Sequence, residues 1–259
     1  MLGAIAGDII GSVHEHLGTK SVDFPLFVAE SRFTDDSVLA IAVADCLLNG
    51  RDYIDTFHAY VGAWPNAGYG PHFYHWARVG SRRPYNSFGN GAAMRVPAIG
   101  YAFDRLDDVL AEAERCASVT HDHPEGIKGA QATAAATFLA RNGASKADIK
   151  QTIEERFGYD LSPSIDSLRP TYTFDVSCQG TVPPALIAFL ESTSFEDAVR
   201  KAISLGGDAD TLACITGGVA EAHYGGVPDT IAARALAALD PPLRTVVEQF
   251  QARHGRASG

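Results

Sequence analysis

Residues 204–224 read SLGGDADTLACITGGVAEAHY, and a second stretch, residues 32–48, reads RFTDDSVLAIAVADCLL. In each stretch, a Thr and acidic residues lie at the start of a predicted helix that is apolar and rich in Ala. The polar side chains concerned are Thr34, Asp35, Asp36, Asp208, Asp210 and Thr211. If the two helix starts meet in space, both clusters belong to one site.

The chemistry of these six side chains favours divalent cations. All of them offer oxygen, and neither cluster contains His or Cys, which suits Mg²⁺, Mn²⁺ or Ca²⁺ rather than zinc. Four carboxylates brought together would repel one another unless cations lay between them. The competing interpretation is helix capping, because Thr and Asp are ordinary N-cap residues. Each cluster contains more acidic residues than a helix cap requires, which favours a two-metal site. Gly206 and Gly207 allow a tight turn of the backbone beside this site.

Composition predicts an ordinary soluble globular protein with a sizeable core. Of the 259 residues, 46% are hydrophobic and 20% are charged, and the formal net charge is −10. This charge leaves no basic surface for nucleic acid or an anionic membrane. The four cysteines are scattered and match neither a disulfide framework nor a metal-ligand spacing, so reduced thiols in the cytoplasm are expected.

Helical periodicity dominates the chain, and strand-like alternation is almost absent. We therefore predict an all-α fold, a compact orthogonal bundle of roughly ten helices in one domain, residues 1–259. The predicted helices span residues 2–13, 35–48, 53–63, 106–118, 125–141, 181–192, 211–223, 228–239 and 241–253. Ser145 with Asp148, and Ser194 with Asp197, resemble capping boxes that open two further helices. Asp8 lies within the first helix, where a buried carboxylate would need a donor or a metal.

Residues 64–95 are rich in loops and aromatic side chains, and a long irregular stretch in a compact domain is usually functional. Tyr69 and Phe88 offer rings for stacking a base, although a packed aromatic cluster explains them equally well. The G-N-G turn at residues 89–91 could present N–H groups to an anion or could be a simple tight turn. His121 and His123 form an H-x-H pair, for which substrate contact or capping is favoured over zinc.

Five motifs in the same order resemble those of the ADP-ribosylglycohydrolase family: GAIAGDIIGS, RFTDDSVLAIA, GNGAAMR, SVTHDHPEGIKGAQA and SLGGDADTLACITG. The resemblance implies an all-α fold with two divalent cations, Mg²⁺ or Mn²⁺, at its centre. It implies that the six clustered side chains are metal ligands, that Asp8 supports them, and that Glu15 is a mobile acid near the metals. The implied substrate contacts are Asn90, Gly91, Met94, Arg95 and His121. Ala209 departs from the pattern, because many relatives have Thr between the two aspartates.

The activity implied by the resemblance is hydrolysis of the glycosidic bond of an ADP-ribosyl group, with release of ADP-ribose. The metals would hold the ribose hydroxyls and position or deprotonate a water, and carboxylates would stabilise oxocarbenium character. The candidate catalytic residues are Glu15, Asp35, Asp36 and Asp210, and the choice of general acid or base stays open. Tyr69 and Phe88 would hold the adenosine end by stacking.

Two alternative functions stay open at this point. One is a catalytically silent relative that binds ADP-ribose, and the other is a two-metal phosphoesterase that releases inorganic phosphate. The partner is expected to be an ADP-ribosylated protein or a small molecule that contains ADP-ribose, linked through Arg, Ser or an O-acetyl group. We expect no contact with nucleic acid or membrane, and a monomer, because no heptad seam is visible.

Overall fold

The computed structural model describes residues 1–255, and residues 256–259 of the predicted domain lie outside the described part. Fifteen helices form in residues 1–255. They are α1 Leu2–Gly11, α2 Asp35–Asn49, α3 Tyr53–Ala63, α4 Pro71–Arg78, α5 Gly91–Met94, α6 Ile99–Ala102, α7 Leu106–Ser118, α8 Pro124–Arg141, α9 Lys146–Phe157, α10 Ile165–Leu168, α11 Cys178–Leu190, α12 Phe195–Ile203, α13 Ala209–Tyr224, α14 Asp229–Ala238 and α15 Pro241–His254. Within this part of the chain no strand forms, and one isolated bridge joins Gly89 to Ser177. The predicted all-α fold is confirmed.

Helix α13 is buried along almost its whole length, and α1 packs directly against it. Glycine makes this contact possible. A Cβ on Gly7 would overlap the carbonyl oxygen of Ala213, and a Cβ on Gly11 would lie 2.5 Å from the Cα of Asp210. Because larger residues cannot approach so closely, the glycine face of α1 brings its C-terminal end beside the N-terminal end of α13.

Helices α8, α11 and α12 surround α13 on its other sides, and α2 packs between α3, α15 and the α1–α13 pair. The contacts are formed largely by Ala, Val, Ile and Leu side chains, such as Leu212 and Ile215, which are completely buried. Burial of one large aliphatic side chain contributes about 1.5–3 kcal/mol. The resulting core holds the N-terminal ends of α2 and α13 together.

Helix α11 begins earlier than the sequence predicts, at Cys178 instead of residue 181. The reason is its N-cap, because the Ser177 side chain accepts a hydrogen bond from the Gly180 amide. Pro183 and Pro184 therefore lie inside the helix rather than in its first turn. A proline lacks an N–H and leaves the carbonyl four residues earlier without its helical donor. The Tyr172 hydroxyl replaces that donor at Gly180, at 2.9 Å.

The segment of residues 64–95 is more regular than predicted. It contains α4, whose start is favoured by Pro71 and whose inner face buries Phe73 and Trp76. The four-residue helices α5, α6 and α10 were also not predicted, since their sequences are too short to show a helical period. Helices α4, α5, α6 and α10 largely explain why the described residues form more helices than the roughly ten that the sequence predicts.

Several helix ends follow the predicted capping chemistry. Ser145 and Asp148 form a reciprocal capping box at the start of α9. Ser194 accepts from the Asp197 amide, but the Asp197 carboxylate accepts from the Thr193 amide rather than from Ser194. Helix α1 ends at Gly11 rather than at residue 13.

No helix in residues 1–255 is long and apolar enough to cross a membrane.

Candidate functional site

A cavity of about 460 Å³ opens where the N-terminal ends of α2 and α13 meet the loop that follows α1. Its walls are completed by the segment before α4, the G-N-G turn before α5, the end of α7 and the loop before α11. The predicted site residues that line it are Glu15, Thr34, Asp35, Asp36, Tyr69, Asn90, Gly91, Met94, Arg95, His121, Asp208, Asp210 and Thr211. Residues as far apart in sequence as Glu15 and Thr211 therefore share one cavity.

The start of α2 is held in place by Asp8, which is completely buried in α1. One carboxylate oxygen accepts from the Thr34 hydroxyl at 2.6 Å, and the other accepts from the amides of Thr34 and Ser37 at 2.9 and 3.1 Å. The Ser37 hydroxyl donates to the same carboxylate. Asp8 thus has the donors that its burial demands, and its role is to cap α2. Because the Thr34 proton points to Asp8, a lone pair of the Thr34 oxygen remains available to a cation.

The acidic side chains meet at one end of the cavity. Carboxylate oxygens of Glu15, Asp208 and Asp210 lie within 4.8 Å of one another. Asp36 lies close by, since one of its oxygens accepts from the Thr211 hydroxyl at 3.3 Å. Its other oxygen is buried without a hydrogen-bond partner. The family resemblance implies that Glu15 is a mobile acid near the metals, and the structure groups it with the carboxylates of Asp208 and Asp210.

The pKa values of these groups reflect burial first and mutual repulsion second. Desolvation, reinforced by the charges of Asp8 and Asp208, raises the pKa of Asp35 to about 8. Desolvation likewise raises the pKa of Asp36 well above the usual range, with the charges of Asp8 and Asp35 as the next causes. Desolvation also raises the pKa of Asp210 well above the usual range, with the charge of Asp36 as the next cause. Burial and the charge of Asp208 raise the pKa of Glu15. A bound cation would reverse this preference, because it stabilises the ionised carboxylates.

The donor set fits a hard divalent cation. All side chains at this end offer oxygen, which Mg²⁺ and Mn²⁺ prefer. The unpartnered oxygen of Asp36 is a group for which the protein itself supplies no donor, and such groups in native structures call for a ligand or ion. Gly206 and Gly207, with φ of 71° and 72°, form the turn that aims Asp208 into the cavity.

The G-N-G turn joins the acidic end to the rest of the cavity. The Asn90 side-chain amide donates to Asp208 at 2.7 Å and to the Thr181 hydroxyl at 3.1 Å. The turn is anchored from the other side by the Asn90 amide, which donates to the Val176 carbonyl at 2.7 Å. Asn90 therefore orients Asp208, in addition to lying on the cavity wall.

Arg95 and His121 also line the cavity, and His121 lies beside the G-N-G turn. The Arg95 guanidinium is completely buried, stacks over Phe57 with 4.9 Å from Cζ to the ring centroid, and donates through Nη2 to neutral oxygens. Its Nε and Nη1 have no hydrogen-bond partner. Arg95 lines the cavity, and its predicted contact with substrate stays a prediction. Desolvation, and then the charge of Arg95, lowers the pKa of His121 well below its usual value, so its ring is neutral.

The aromatic residues are arranged differently from the prediction. Tyr69 lines the cavity but is only 9% exposed, and it stacks with Phe73 and Tyr74. Its stacking role for a base stays a prediction. Phe88 is 47% exposed, but it packs edge-on against His123, and it does not line the cavity.

Phe174 is a cavity residue that the sequence analysis missed. It lines the wall and is 52% exposed, so its side chain is accessible to a ligand. It lies in a loop without a motif, and its one signal is an aromatic side chain among polar residues, TYTFDVS. Tyr85, His72 and Val176 also line the wall; they come from segments that the fold, rather than the sequence order, brings to the site.

The comparisons with known proteins agree with one another. The chain is 26% identical to human (Homo sapiens) ADP-ribosylhydrolase ARH3 over 305 residues, covering 87% of this chain and 84% of the relative. It is 28% identical to ADP-ribosylarginine hydrolase Tri1 of Pseudomonas putida (strain GB-1), covering 87% and 69%. A solved structure described as an ADP-ribosylglycohydrolase-related protein complex superposes with a TM-score of 0.70 at 27% identity, covering 96% of this chain and 95% of that chain.

A family model also matches nearly the whole sequence. It is the model for ADP-ribosylglycohydrolase, and it covers residues 1–257. This extent includes both ends of the cavity and every helix of the fold. The chain therefore belongs to the ADP-ribosylglycohydrolase family and is a glycohydrolase enzyme.

Proposed function

We propose that this enzyme hydrolyses the glycosidic bond of an ADP-ribosyl group in a reaction that depends on two divalent cations, Mg²⁺ or Mn²⁺, and releases ADP-ribose. The observation that carries the proposal is the convergence of Glu15, Asp208 and Asp210 within 4.8 Å at one end of the cavity. Family membership supports the class of bond, and the buried oxygen of Asp36 without a partner supports the cations.

The residues that would hold the cations come from both helix starts. They are Thr34, Asp35, Asp36, Asp208, Asp210 and Thr211. When bound, such cations supply Lewis acidity and make water a better nucleophile at neutral pH. Asp8 and Asn90 would keep the ligands oriented, because they hold Thr34 and Asp208 through hydrogen bonds of 2.6 and 2.7 Å. Partners of this kind commonly affect metal affinity by about 10–100-fold.

Glu15 is our candidate for the group that moves a proton. It is half-buried at the edge of the cavity, and its pKa is raised by burial and by Asp208. A raised pKa brings a carboxyl group closer to the working pH, which favours a role as general acid or base. Asp35, Asp36 and Asp210 would act mainly by holding the cations and by stabilising positive charge on the ribose.

The substrate would be an ADP-ribosylated protein or a small molecule that contains ADP-ribose. One relative in the comparison is named for hydrolysis of ADP-ribosylarginine, which makes an Arg-linked substrate the first to assay. Ser-linked and O-acetyl-ADP-ribose substrates should be assayed beside it, so that the linkage preference is measured directly.

The test is release of ADP-ribose from these three substrates with Mg²⁺, with Mn²⁺ and with a chelator. Asp210→Asn is the site variant, and Asp107→Asn is the matched control on an exposed turn of α7. We expect release that depends on metal, lost in Asp210→Asn and unchanged in the control. Release that persists in the chelator would contradict the metal proposal. Release of inorganic phosphate would indicate a phosphoesterase, and binding of ADP-ribose without turnover would indicate a silent relative.

A further inference from the structure

The cationic end of the cavity, formed by Arg95, Thr120, His121 and the turn at residues 89–91, contains a chain of hydrogen bonds with a fixed direction. Arg95 Nη2 donates to the Thr120 hydroxyl oxygen at 3.1 Å. That oxygen lies 2.7 Å from Nδ1 of His121. All three side chains are buried, with exposed fractions of 0%, 0% and 4%. The chain therefore runs from a permanent cation, through a hydroxyl, to an imidazole on the cavity wall.

The direction follows from counting protons. A guanidinium can only donate, so the Thr120 oxygen must be the acceptor toward Arg95. The Thr120 hydroxyl has one proton of its own to place, and His121 Nδ1 is the acceptor within hydrogen-bond distance. Donation of the Thr120 proton to Nδ1 requires an unprotonated Nδ1. Since the neutral ring carries one proton, that proton is on Nε2.

Nε2 is the ring atom that faces the cavity. A Cβ on Gly91 would lie 3.4 Å from it, and a Cβ on Gly89 would lie 3.5 Å from it. The two glycines thus leave the space in front of Nε2 open. Unlike Nε and Nη1 of Arg95, this atom is not covered by protein atoms, and no protein group accepts its proton.

Arg95 is held by features other than a carboxylate. Its Nη2 also donates to the carbonyls of Cys116 and Ala117 at 2.8 and 3.3 Å, at the C-terminal end of α7. The negative end of a helix dipole stabilises a cation there. Because the guanidinium forms no hydrogen bond to a carboxylate, its positive potential at this end of the cavity is not cancelled.

We propose that Thr120, held by Arg95, is a positioning residue that fixes neutral His121 as the Nε2–H tautomer and so presents a hydrogen-bond donor to a phosphate oxygen of the ligand. The phosphate assignment rests on the proposed function, whereas the tautomer does not. An anionic oxygen fits this end because the N–H donor and the positive charge of Arg95 both attract it. Hydrogen bonds to charged groups are also stronger than those between neutral groups.

The tautomer is measurable without substrate. Two-bond ¹H–¹⁵N correlation spectra of ¹⁵N-histidine-labelled protein distinguish a protonated from an unprotonated ring nitrogen, and His121→Gln identifies the signal. We expect a pure Nε2–H pattern in the wild type and in Thr120→Ser, which retains the hydroxyl. In Thr120→Val the Nδ1 atom loses its donor, and we expect a mixture of tautomers or a shift to Nδ1–H.

Binding of ADP-ribose by calorimetry is the second readout. We expect Thr120→Val to weaken binding about tenfold and Thr120→Ser to restore it. Thr137→Val is the matched control, because Thr137 is also fully buried, but its hydroxyl donates within α8, to the Thr133 carbonyl. Thermal unfolding of all variants reports whether the fold is kept.

The outcomes separate the two proposals. An Nδ1–H or mixed pattern in the wild type, or unchanged tautomer and affinity in Thr120→Val, would overturn the role of Thr120. Loss of affinity in Thr137→Val equal to that in Thr120→Val would show a structural effect only, and would also overturn it. Failure of the wild type to bind ADP-ribose would overturn the phosphate assignment together with the proposed function, while the tautomer result would stand.

Discussion

The acidic end of the cavity (Glu15, Asp35, Asp36, Asp208 and Asp210) and its cationic end differ in the kind of group that the protein leaves without a partner. At the cationic end, helix carbonyls and the Thr120 hydroxyl accept from Nη2 of Arg95, whereas its Nε and Nη1 are buried without an acceptor. At the acidic end, carboxylates face one another within 4.8 Å, and one oxygen of Asp36 has no donor at all.

This difference indicates that the two ends are prepared for different kinds of ligand. The groups without partners at the cationic end are N–H donors of a cation, which suit an anionic oxygen. The acidic end is unfavourable by itself, because burial and repulsion raise the pKa values of its carboxylates. Metal binding would relieve that cost, which couples metal binding to stability.

The largest expected effect comes from removing a charge at the acidic end with Asp36→Asn. We expect hydrolysis to fall by at least about 100-fold, since even an outer partner of a metal can cost that much. Without metal the same variant should be more stable than the wild type at neutral pH, because folding no longer has to protonate this buried carboxyl or bury its charge. Activity assays and thermal unfolding in a chelator measure the two effects.

A variant at the cationic end, Thr120→Val, is the control for Asp36→Asn. Thr120→Val removes no charge, and it should not raise the stability of the metal-free protein. If Asp36→Asn also fails to stabilise the metal-free protein, the acidic end is not strained, and the comparison between the two ends is wrong.

A second test of the comparison between the two ends is Asn90→Asp, which adds one carboxylate to the acidic end. The Asn90 amide donates to Asp208 at 2.7 Å, and an aspartate would replace this donor with a repelling carboxylate. We expect activity to fall by about 10–100-fold, as for other groups that orient a metal ligand. Asn142→Asp is the matched control at the end of α8, where the amide donates only to a carbonyl. Equal losses in both variants would contradict a role for Asn90 at the site.

The pH dependence of stability should separate metal-free from metal-loaded protein. Asp35 has a pKa of about 8 in the folded protein and 3.8 ordinarily. Between these values the folded state holds a proton that the unfolded state has lost, so stability falls as pH rises through this window. Each retained proton changes the free energy of unfolding by roughly 1.4 kcal/mol per pH unit, which corresponds to a few °C in Tm.

Thermal unfolding from pH 5 to 8, in a chelator and with Mn²⁺, checks this expectation. The chelated protein should lose stability as pH rises, and the stabilisation by Mn²⁺ should grow over the same range, because fewer protons compete with the ion. Parallel curves under the two conditions would show that the cation does not displace protons from these carboxylates.

Much of the fold could be predicted from local sequence, because the period of apolar residues and the capping residues are local signals. The start of α9 at Ser145 and Asp148 is one example, and the end of α2 at Asn49 is another. The start of α11 could not be predicted in this way. Its prolines are tolerated in the helix because Tyr172, from a separate loop, donates to the carbonyl that Pro184 leaves without a donor.

The features of the candidate site likewise fall into two groups, those that local sequence predicts and those that depend on tertiary folding. The carboxylates of both helix starts and Asn90 lie in motifs with a recognisable chemistry, and the structure places them in one cavity. The covered position of Arg95 depends on how Phe57 and the end of α7 enclose it, which no motif records. Phe174 was missed for a similar reason, since its loop has no periodicity and reaches the cavity only through tertiary folding.

The smallest expected effect concerns the two exposed phenylalanines, Phe174 and Phe88. Both are about half exposed, but only Phe174 lines the cavity, whereas Phe88 packs edge-on against His123. Stacking of a base on an aromatic ring contributes roughly 1–3 kcal/mol. We therefore expect Phe174→Ala to weaken binding of ADP-ribose about fivefold to tenfold and Phe88→Ala to have little effect.

Calorimetry with ADP-ribose and with ribose 5-phosphate, which lacks the base, distinguishes stacking from a general loss of the cavity wall. If Phe174 stacks the base, its replacement weakens ADP-ribose alone, because the base is the part of the ligand that the ring contacts. Equal losses for both ligands would mean that Phe174 shapes the wall. The reverse order of the two variants would return the stacking role to Phe88, as the sequence predicts, and would place the base outside the described cavity, beyond the G-N-G turn.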